Sequence, residues 1–349
     1  MQNAKTPITN TKSKSTIQLS PTTRVDMTDS TSFLEVRNLK KHFPPRKIIL
    51  QNNTATVRAV DGISFTLKEG ETLGLVGESG CGKSTAARTL LRLETPTSGS
   101  VHFKGKNLAS LSETELRNQR KEMQMIFQDP FSSINPRRKI SDVLREPFVI
   151  HGFKENISEA VVKLLDQVGL SSDYVNRYSH EMSGGQLQRV GIARAIALNP
   201  TLVVADEPVS ALDVSIQSQI INLMMDLREK LGIAFLFISH DMSIVEYFCD
   251  RVAVMYLGKI VEIASSEEIY KRPAHPYTEA LINAVPGIES GQQKQKLKVR
   301  GDIPDPSSPP QGCSFHTRCP LKEKQCEEME PNLKEVASGH YVACLLKEG

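Results

Sequence analysis

A glycine-rich loop gives the clearest chemical signal in this sequence. Residues 77–84 match the pattern G-x-x-x-x-G-K-[ST] at every fixed position. In such a loop, successive backbone N–H groups wrap a phosphate, so small residues are needed where the chain turns back. Lys83 would place its charge at the β- and γ-phosphates of a nucleotide, and the Ser84 hydroxyl could bind Mg²⁺. The predicted phosphate-site residues are Gly77, Glu78, Ser79, Gly80, Cys81, Gly82, Lys83, Ser84 and Thr85.

Two adjacent carboxylates follow an apolar run further along the chain. Asp206 and Glu207 come directly after Leu-Val-Val-Ala at residues 202–205. At the end of a buried strand, Asp206 suits the Mg²⁺ shell, and Glu207 suits a base that orients or deprotonates an attacking water. On its own this pair would fit the N-cap of the next helix equally well. Combined with the phosphate loop, this pair of carboxylates indicates an enzyme that hydrolyses a phosphate bond.

The elements that must position these groups follow an α/β pattern. Residues 72–76 form an apolar strand that leads into the loop, and helical spacing begins at Lys83. Further buried strands are predicted at 202–205 and 234–238. Between residues 141 and 170 the apolar spacing is helical, which predicts a helical insertion in the α/β core.

Composition narrows the classes of protein. The 349 residues carry 43 basic and 40 acidic side chains, a net charge of +3 that is too small to indicate nucleic acid as the main partner. No window approaches 18 consecutive apolar residues, so we expect no membrane span. Residues 1–32 are polar and Thr/Ser-rich without an apolar segment, which predicts a disordered tail without a secretory signal, on a cytoplasmic chain.

A Ser-Gly-Gly-Gln motif identifies a family. Residues 182–189 resemble the LSGGQ signature of ATP-binding cassette (ABC) ATPases, with Met182 where the family usually has Leu. The resemblance extends from about Phe33 to Gly349. It implies a RecA-like P-loop core with an antiparallel β subdomain and a helical insertion. The signature residues are Ser183, Gly184, Gly185 and Gln186, and in the family they bind the γ-phosphate of a nucleotide held by the opposite subunit.

The other family motifs occur in the same order. Gln128 matches the Q-loop glutamine, Asp213 the D-loop and His240 the switch histidine. Phe43 falls where the family stacks an aromatic ring on adenine, although a core phenylalanine is the usual alternative. The resemblance thus implies Glu207, His240 and Gln128 as catalytic residues and ATP with Mg²⁺ as the nucleotide complex. The expected Mg²⁺ ligands are Ser84, Gln128 and Asp206.

Four cysteines follow a proline-rich stretch near the C-terminus. Cys313, Cys319, Cys326 and Cys344 lack the C-x₂-C spacing of common zinc modules, so the residues leave open zinc, an iron–sulfur cluster or thiols without metal. Together with His-Pro-Tyr-Thr at 275–278, they resemble the C-terminal region of oligopeptide/dipeptide-importer ATPases. Some members of that family hold a [4Fe–4S] cluster there. The expected division is a tail at 1–32, an ABC ATPase domain at 33–265 with its helical subdomain at about 130–181, and a separate extension at 266–349.

The importer resemblance implies partners. The loop from Gln128 to Arg137 is similar to that of the F-type ATPase of peptide importers. Such subunits work at the cytoplasmic face of the membrane with a D-type ATPase, two membrane permease subunits and, indirectly, an external substrate-binding protein. The expected function is ATP-driven uptake of di- or oligopeptides, without nucleic acid. The alternative is a soluble ABC-type ATPase switch that acts on another macromolecule.

Overall fold

The computed structural model describes residues 33–45, 55–153, 156–285, 299 and 301–347, so the tail predicted at 1–32 lies outside the described residues. Two sheets are formed within that part of the chain. The strands are β1 (Leu34–Phe43), β2 (Val57–Leu67), β3 (Thr72–Val76), β4 (Ser98–Phe103), β5 (Lys106–Asn107), β6 (Met123–Ile126), β7 (Leu202–Asp206), β8 (Ala234–Ser239), β9 (Arg251–Tyr256), β10 (Lys259–Ser265), β11 (Lys334–Ala337) and β12 (His340–Val342).

Helices connect these strands and cover the larger sheet. They are α1 (Lys83–Leu90), α2 (Glu113–Gln119), α3 (Pro130–Ser133), α4 (Ile140–Ile150), α5 (Ile157–Gln167), α6 (Gly184–Ile196), α7 (Val214–Leu231), α8 (Met242–Phe248), α9 (Ser266–Lys271), α10 (Pro276–Asn283) and α11 (Gln325–Glu328). The helical spacing predicted between residues 141 and 170 is confirmed by α4 and α5. No helix in the described ranges has both the length and the apolar character that a membrane crossing needs.

The larger sheet has the strand order β11-β12-β10-β9-β3-β8-β7-β6, and its strands from β9 to β6 are parallel. Every residue of β3, β7 and β8 is buried, as expected for parallel strands that are covered on both faces. Alternate side chains of β8 enter different cores: Phe235 and Phe237 join the core under α4–α8, whereas Leu236 and Ile238 join the other. The carboxyl ends of the parallel strands therefore meet at one edge, where the reactive residues follow.

The smaller sheet, β2-β1-β4-β5, is antiparallel. Its buried side chains share a core with β3, β8 and the apolar face of α1, which includes Ala86, Ala87 and Leu90. Helix α1 is thus packed against both the phosphate-loop strand and the antiparallel sheet. This packing fixes the direction in which the N-terminus of α1 points.

The C-terminal region is joined to the large sheet. Strand β12 pairs with β10, and β11 pairs with β12. Without β12, strand β10 would present an unpaired backbone edge. Glu262 of β10 is fully buried at this junction. Its carboxylate accepts hydrogen bonds from the backbone N–H groups of Ala274 and His275, and it pairs with the His340 ring at 2.7 Å.

His275 gives this junction a pH dependence. Its buried Nδ1 accepts the N–H of Tyr277 and caps α10, and burial lowers the pKa of His275 to about 4. The folded state therefore binds fewer protons than the unfolded state between pH 6.5 and 4, so this contribution to stability is complete above about pH 6.5 and is lost as the pH falls.

We predict that His275→Asn flattens this dependence, because Asn still caps a helix but does not titrate. Between pH 7.5 and 5.5 the wild-type chain should lose about 1 kcal/mol more unfolding free energy than the variant. Urea-unfolding midpoints at the two pH values measure the difference. Equal pH slopes for the two proteins would contradict the assignment.

Candidate functional site

The glycine-rich loop connects β3 to α1 in a conformation that only glycine allows at two positions. Gly77 has φ of 153° and Gly82 has φ of 107°. A Cβ atom at Gly77 would lie 2.2 Å from the Met255 carbonyl oxygen, and one at Gly82 would lie 1.9 Å from the Ala59 carbonyl oxygen. The loop is therefore pressed against β2 and β9, and its backbone N–H groups follow the N-terminus of α1, where an anion is favoured.

Lys83 directs its ammonium group into the loop. Nζ donates to the carbonyl oxygens of Gly77 at 2.8 Å and Glu78 at 3.1 Å, and it lies 3.8 Å from the Glu207 carboxylate. The side chain is buried. The buried charge is thus held at the point where the loop closes, next to the carboxylate at the end of β7.

Ser84 and Asp206 place two oxygen ligands side by side. The Ser84 hydroxyl donates to Asp206 Oδ1 at 2.8 Å. Burial raises the pKa of Asp206, while the Ser84 hydroxyl acts in the opposite direction. A hydroxyl and a carboxylate suit the hard cation Mg²⁺, which binds through oxygen, so this pair fits the expected metal.

The Glu207 carboxylate contacts residues that follow three other strands of the large sheet. Its Oε2 accepts from the Gln128 amide at 3.0 Å and lies 3.3 Å from His240 Nδ1, while its Oε1 faces Lys83. These partners follow β6, β8 and β3, and Glu207 follows β7. Its φ of 46° lies in the left-handed region, which is costly for a non-glycine residue and is found at sites where a side chain must be aimed. The sequence-predicted residues Gln128, Lys83, Glu207 and His240 are therefore in one place.

A cavity of about 210 Å³ lies above the loop and includes residues 79–85, Gln128 and Glu207 in its walls. Sequence reasoning missed other wall residues, namely Val57, Arg58, Ala59, Leu257, Gly258 and Pro306. Pro306 carried no sequence signal, because its place in the wall depends on the path of the C-terminal region. Phe43 is not among the lining residues; it ends β1 opposite Val57, with the Lys41 ammonium 4.8 Å from its ring centroid.

The Ser-Gly-Gly-Gln motif lies at a different place from the cavity. Ser183 caps α6 in a capping box, in which its hydroxyl accepts the Gln186 N–H and the Gln186 side chain accepts the Ser183 N–H. Gln186 also donates to the Tyr174 hydroxyl at 2.8 Å. None of residues 183–186 lines the cavity, and neither does Asp213, which precedes α7. The chain thus presents a helix N-terminus apart from its own phosphate loop.

A second cavity, of about 590 Å³, opens beside Gln128 and the helical region. Its walls include Phe127, Pro147, Ile150 and Arg194. One of its apolar wall residues, Ile150, is 47% exposed. This groove combines apolar walls with charged groups at the point where the Gln128 segment meets α4.

The four C-terminal cysteines lie near enough to one another for their thiols to interact electrostatically. Burial raises the pKa of Cys313 to about 11, and the neighbouring thiols of Cys326, Cys344 and Cys319 add to this effect. Burial likewise raises the pKa of Cys319 and of Cys344. The described residues contain no group of three or more His, Cys, Asp or Glu side chains placed to bind one metal ion. The arrangement needed for the alternative of zinc, in which four ligands surround one point, is therefore not formed by these thiols as they lie.

Comparisons with known proteins agree with this geometry. The ABC transporter family model matches residues 60–210, and the model for the C-terminal region of oligopeptide/dipeptide transporters matches residues 261–326. The oligopeptide transport ATP-binding protein AppF of Bacillus subtilis is 52% identical over 320 residues, which cover 90% of this chain and 97% of AppF. A putative peptide import ATP-binding protein of Brucella ovis is 51% identical over 317 residues, covering 90% of this chain and 98% of the relative.

Solved structures share the fold. The ATP-binding cassette MJ0796, solved as a dimer in a post-hydrolysis state bound to ADP and phosphate, superposes with a TM-score of 0.60 at 25% identity, covering 67% of this chain and 98% of that one. CbiO1 of Clostridium perfringens, part of an ABC transporter complex, gives a TM-score of 0.59 at 26% identity, covering 69% of this chain and 92% of that one. The predicted α/β ABC ATPase fold is confirmed.

The loop geometry yields a prediction about two glycines. Gly80 also has a positive φ, of 81°, but no atom lies within 4 Å of a Cβ placed there, in contrast to Gly82. We expect Gly82→Ala to lower the unfolding free energy by at least about 2 kcal/mol more than Gly80→Ala, because only the former forces a backbone carbonyl to move. Urea-unfolding midpoints provide the comparison, and equal losses would contradict the close approach of the loop to β2.

Proposed function

This chain belongs to the ABC transporter ATP-binding proteins of the oligopeptide/dipeptide type, and we propose that it is the ATP-hydrolysing subunit of a membrane importer for di- or oligopeptides. The observation that carries the hydrolytic part is the meeting of Lys83, Gln128 and His240 around the Glu207 carboxylate. The names of its relatives support peptides as the cargo. They do not favour the alternative of a soluble ATPase switch.

The reaction follows from the placement of charges. The loop N–H groups and the Lys83 ammonium bind the β- and γ-phosphates, and Ser84 with Asp206 would hold Mg²⁺ with help from Gln128. When bound, Mg²⁺ neutralises negative charge on the phosphate oxygens. Glu207 accepts a proton from the attacking water, whose oxygen forms the new bond to the γ-phosphorus as the bond to ADP breaks. His240, whose Nδ1 lies 3.3 Å from Glu207, keeps the carboxylate aimed and would lie near the γ-phosphate.

The complete site needs a second cassette. The Ser183–Gln186 motif at the start of α6 offers backbone N–H groups to an anion but does not line the cavity of its own chain. We therefore assign Ser183, Gly184, Gly185 and Gln186, together with Asp213, to the nucleotide bound by a partner ATPase of the D-type. ATP bound between the two chains favours the closed dimer, and hydrolysis reopens it.

The groove beside Gln128 suits the membrane partners. A short helix from a permease subunit would cover its apolar walls, including the exposed Ile150, and its binding there would act directly on Gln128. Two permease subunits and an external substrate-binding protein complete the importer. The chain then works at the cytoplasmic face of the membrane, with residues 33–265 as the ATPase domain, its helical subdomain at about 130–181, and residues 266–349 as the transporter-type extension.

The adenine contact assigned to Phe43 belongs to the same proposal. Phe43 ends β1 opposite Val57, and Val57 lines the cavity. A nucleotide base that extends past Val57 would therefore reach the Phe43 ring, where stacking stabilises it.

We predict that Glu207→Gln lowers ATP turnover by about 10²- to 10⁴-fold, the range for loss of a general base, and leaves the Kd for ATP unchanged. Lys83→Ala should instead abolish ATP binding, because its charge faces the phosphates in the ground state. Steady-state hydrolysis and equilibrium nucleotide titration separate the two effects. Normal turnover in the Gln variant would remove Glu207 from the reaction.

For the cysteines we propose a [4Fe–4S] cluster held by Cys313, Cys319, Cys326 and Cys344. A cluster distributes its four thiolate ligands over four irons, so it does not require four sulfurs around one point as zinc does. Anaerobic purification should give a brown protein with visible absorbance and about four irons per chain. Cys326→Ser should lose the iron, whereas Cys249→Ser, at a buried thiol of the ATPase domain, should retain it. A colourless wild-type protein, or one with a single zinc, would contradict this assignment.

A further inference from the structure

Glu78 of the phosphate loop is held through its backbone and its side chain. Its carbonyl oxygen accepts from the Lys83 ammonium at 3.1 Å. Its N–H donates to the Tyr277 hydroxyl at 2.9 Å, and its two carboxylate oxygens accept from the Arg318 guanidinium at 3.0 and 3.2 Å. Tyr277 and Arg318 both belong to the C-terminal region, so residues about 200 positions away fix the loop that precedes α1.

Tyr277 is fixed by its packing. It lies in the first turn of α10, is fully buried, and its ring is 4.8 Å from that of Tyr256 and 5.4 Å from that of Phe315 between centroids. Phe315 in turn is 5.2 Å from Tyr256. These three rings form a buried aromatic cluster that joins β9, α10 and the segment between Cys313 and Cys319. The hydroxyl that accepts the Glu78 N–H therefore has little freedom to move.

Arg318 makes a two-pronged ion pair in a sheltered position. Only 10% of its side chain is exposed, and its Nε donates to the Gly301 carbonyl at 3.1 Å. The guanidinium also lies 5.8 Å from the Tyr256 ring centroid. A guanidinium fixed on several sides selects one orientation of the Glu78 carboxylate, which a lysine ammonium could not do.

The same region contributes to the cavity wall. The Pro306 carbonyl accepts the Arg58 N–H at 3.1 Å, and both residues line the cavity above the loop. The C-terminal region thus contacts the cavity wall at Pro306 and, separately, the phosphate loop at Glu78.

We propose that Tyr277 and Arg318 are positioning residues of the nucleotide site: they hold Glu78, and through its carbonyl the Lys83 ammonium, in the conformation that receives the phosphates. The C-terminal region then helps to hold the ATP site of its own chain in its binding conformation. The inference rests on the proposed role of the loop in ATP binding. Removing the contact of Tyr277 or of Arg318 with Glu78 lowers the fraction of chains whose loop is in the binding conformation. The apparent affinity for ATP falls in proportion to that fraction.

The test uses the full chain and equilibrium titration with a non-hydrolysable ATP analogue and Mg²⁺. Tyr277→Phe, which removes only the hydroxyl, and Arg318→Gln should each raise the Kd by about 3- to 10-fold, the effect of losing one or two hydrogen bonds. Arg318→Lys should fall between Arg318→Gln and wild type. The double variant Glu78→Gln/Arg318→Gln should bind no more weakly than the weaker of its single variants, because both remove one interaction.

Matched controls lie in the same region. Lys322→Gln breaks an exposed ion pair with Glu327, and Tyr341→Phe removes a phenol that neighbours Glu335 rather than Glu78. Both should keep the wild-type Kd. Hydrogen exchange supplies a readout besides affinity: the peptide containing Glu78 should exchange faster in Tyr277→Phe, while the strands of the large sheet exchange as in wild type.

The outcomes separate this inference from the proposed function. Wild-type affinity and wild-type exchange of the loop in both variants would overturn the inference and leave ATP binding intact. Additive losses in the double variant, with exchange increased throughout the chain, would also overturn it, because they indicate general destabilisation. A wild-type chain that binds no ATP would overturn the proposed function itself.

Discussion

Parallel strands that end at one edge of a sheet are the constraint on which the rest of this structure depends. Because β3, β6, β7 and β8 run in the same direction, the groups that follow them, Lys83, Gln128, Glu207 and His240, meet within hydrogen-bonding or ion-pair distance. The strands are buried on both faces, so their ends cannot shift independently. The rigid strands thus fix the positions of the reactive side chains, which lie in the segments that follow the strands.

The C-terminal region extends this arrangement. It closes the edge of the large sheet through β12, buries Glu262 at the junction, and reaches back to the phosphate loop through Tyr277 and Arg318. Cys313 and Cys319 flank the segment that carries Phe315 and Arg318, so one short stretch of chain connects two of the four cysteines with Glu78. Metal chemistry at the thiols and nucleotide chemistry at the loop would therefore share structural support.

The sequence predicted the features that depend on local patterns. The phosphate loop, the buried strands β3, β7 and β8, and helices α4 and α5 each follow from residues close together in the chain. The hydrogen bond from Glu78 to Tyr277 joins residues 199 positions apart, and the ion pair from Arg318 to Glu78 joins residues 240 apart. Such contacts between polar residues leave no periodicity in a single sequence, and neither does the pairing of β12 with β10. No pattern in the sequence therefore predicted that this region pairs with the large sheet.

If this chain hydrolyses ATP as a subunit of a membrane importer, it should be recovered together with the importer's other subunits. The most direct measurement is purification of the chain from a membrane extract, followed by identification of the accompanying proteins and comparison of ATP hydrolysis by the assembly and by the chain alone. We expect a second ABC ATPase and two multi-span proteins to accompany the chain, with faster hydrolysis in the assembly. A chain that is recovered instead with ribosomes or DNA, with no membrane protein attached, would contradict it.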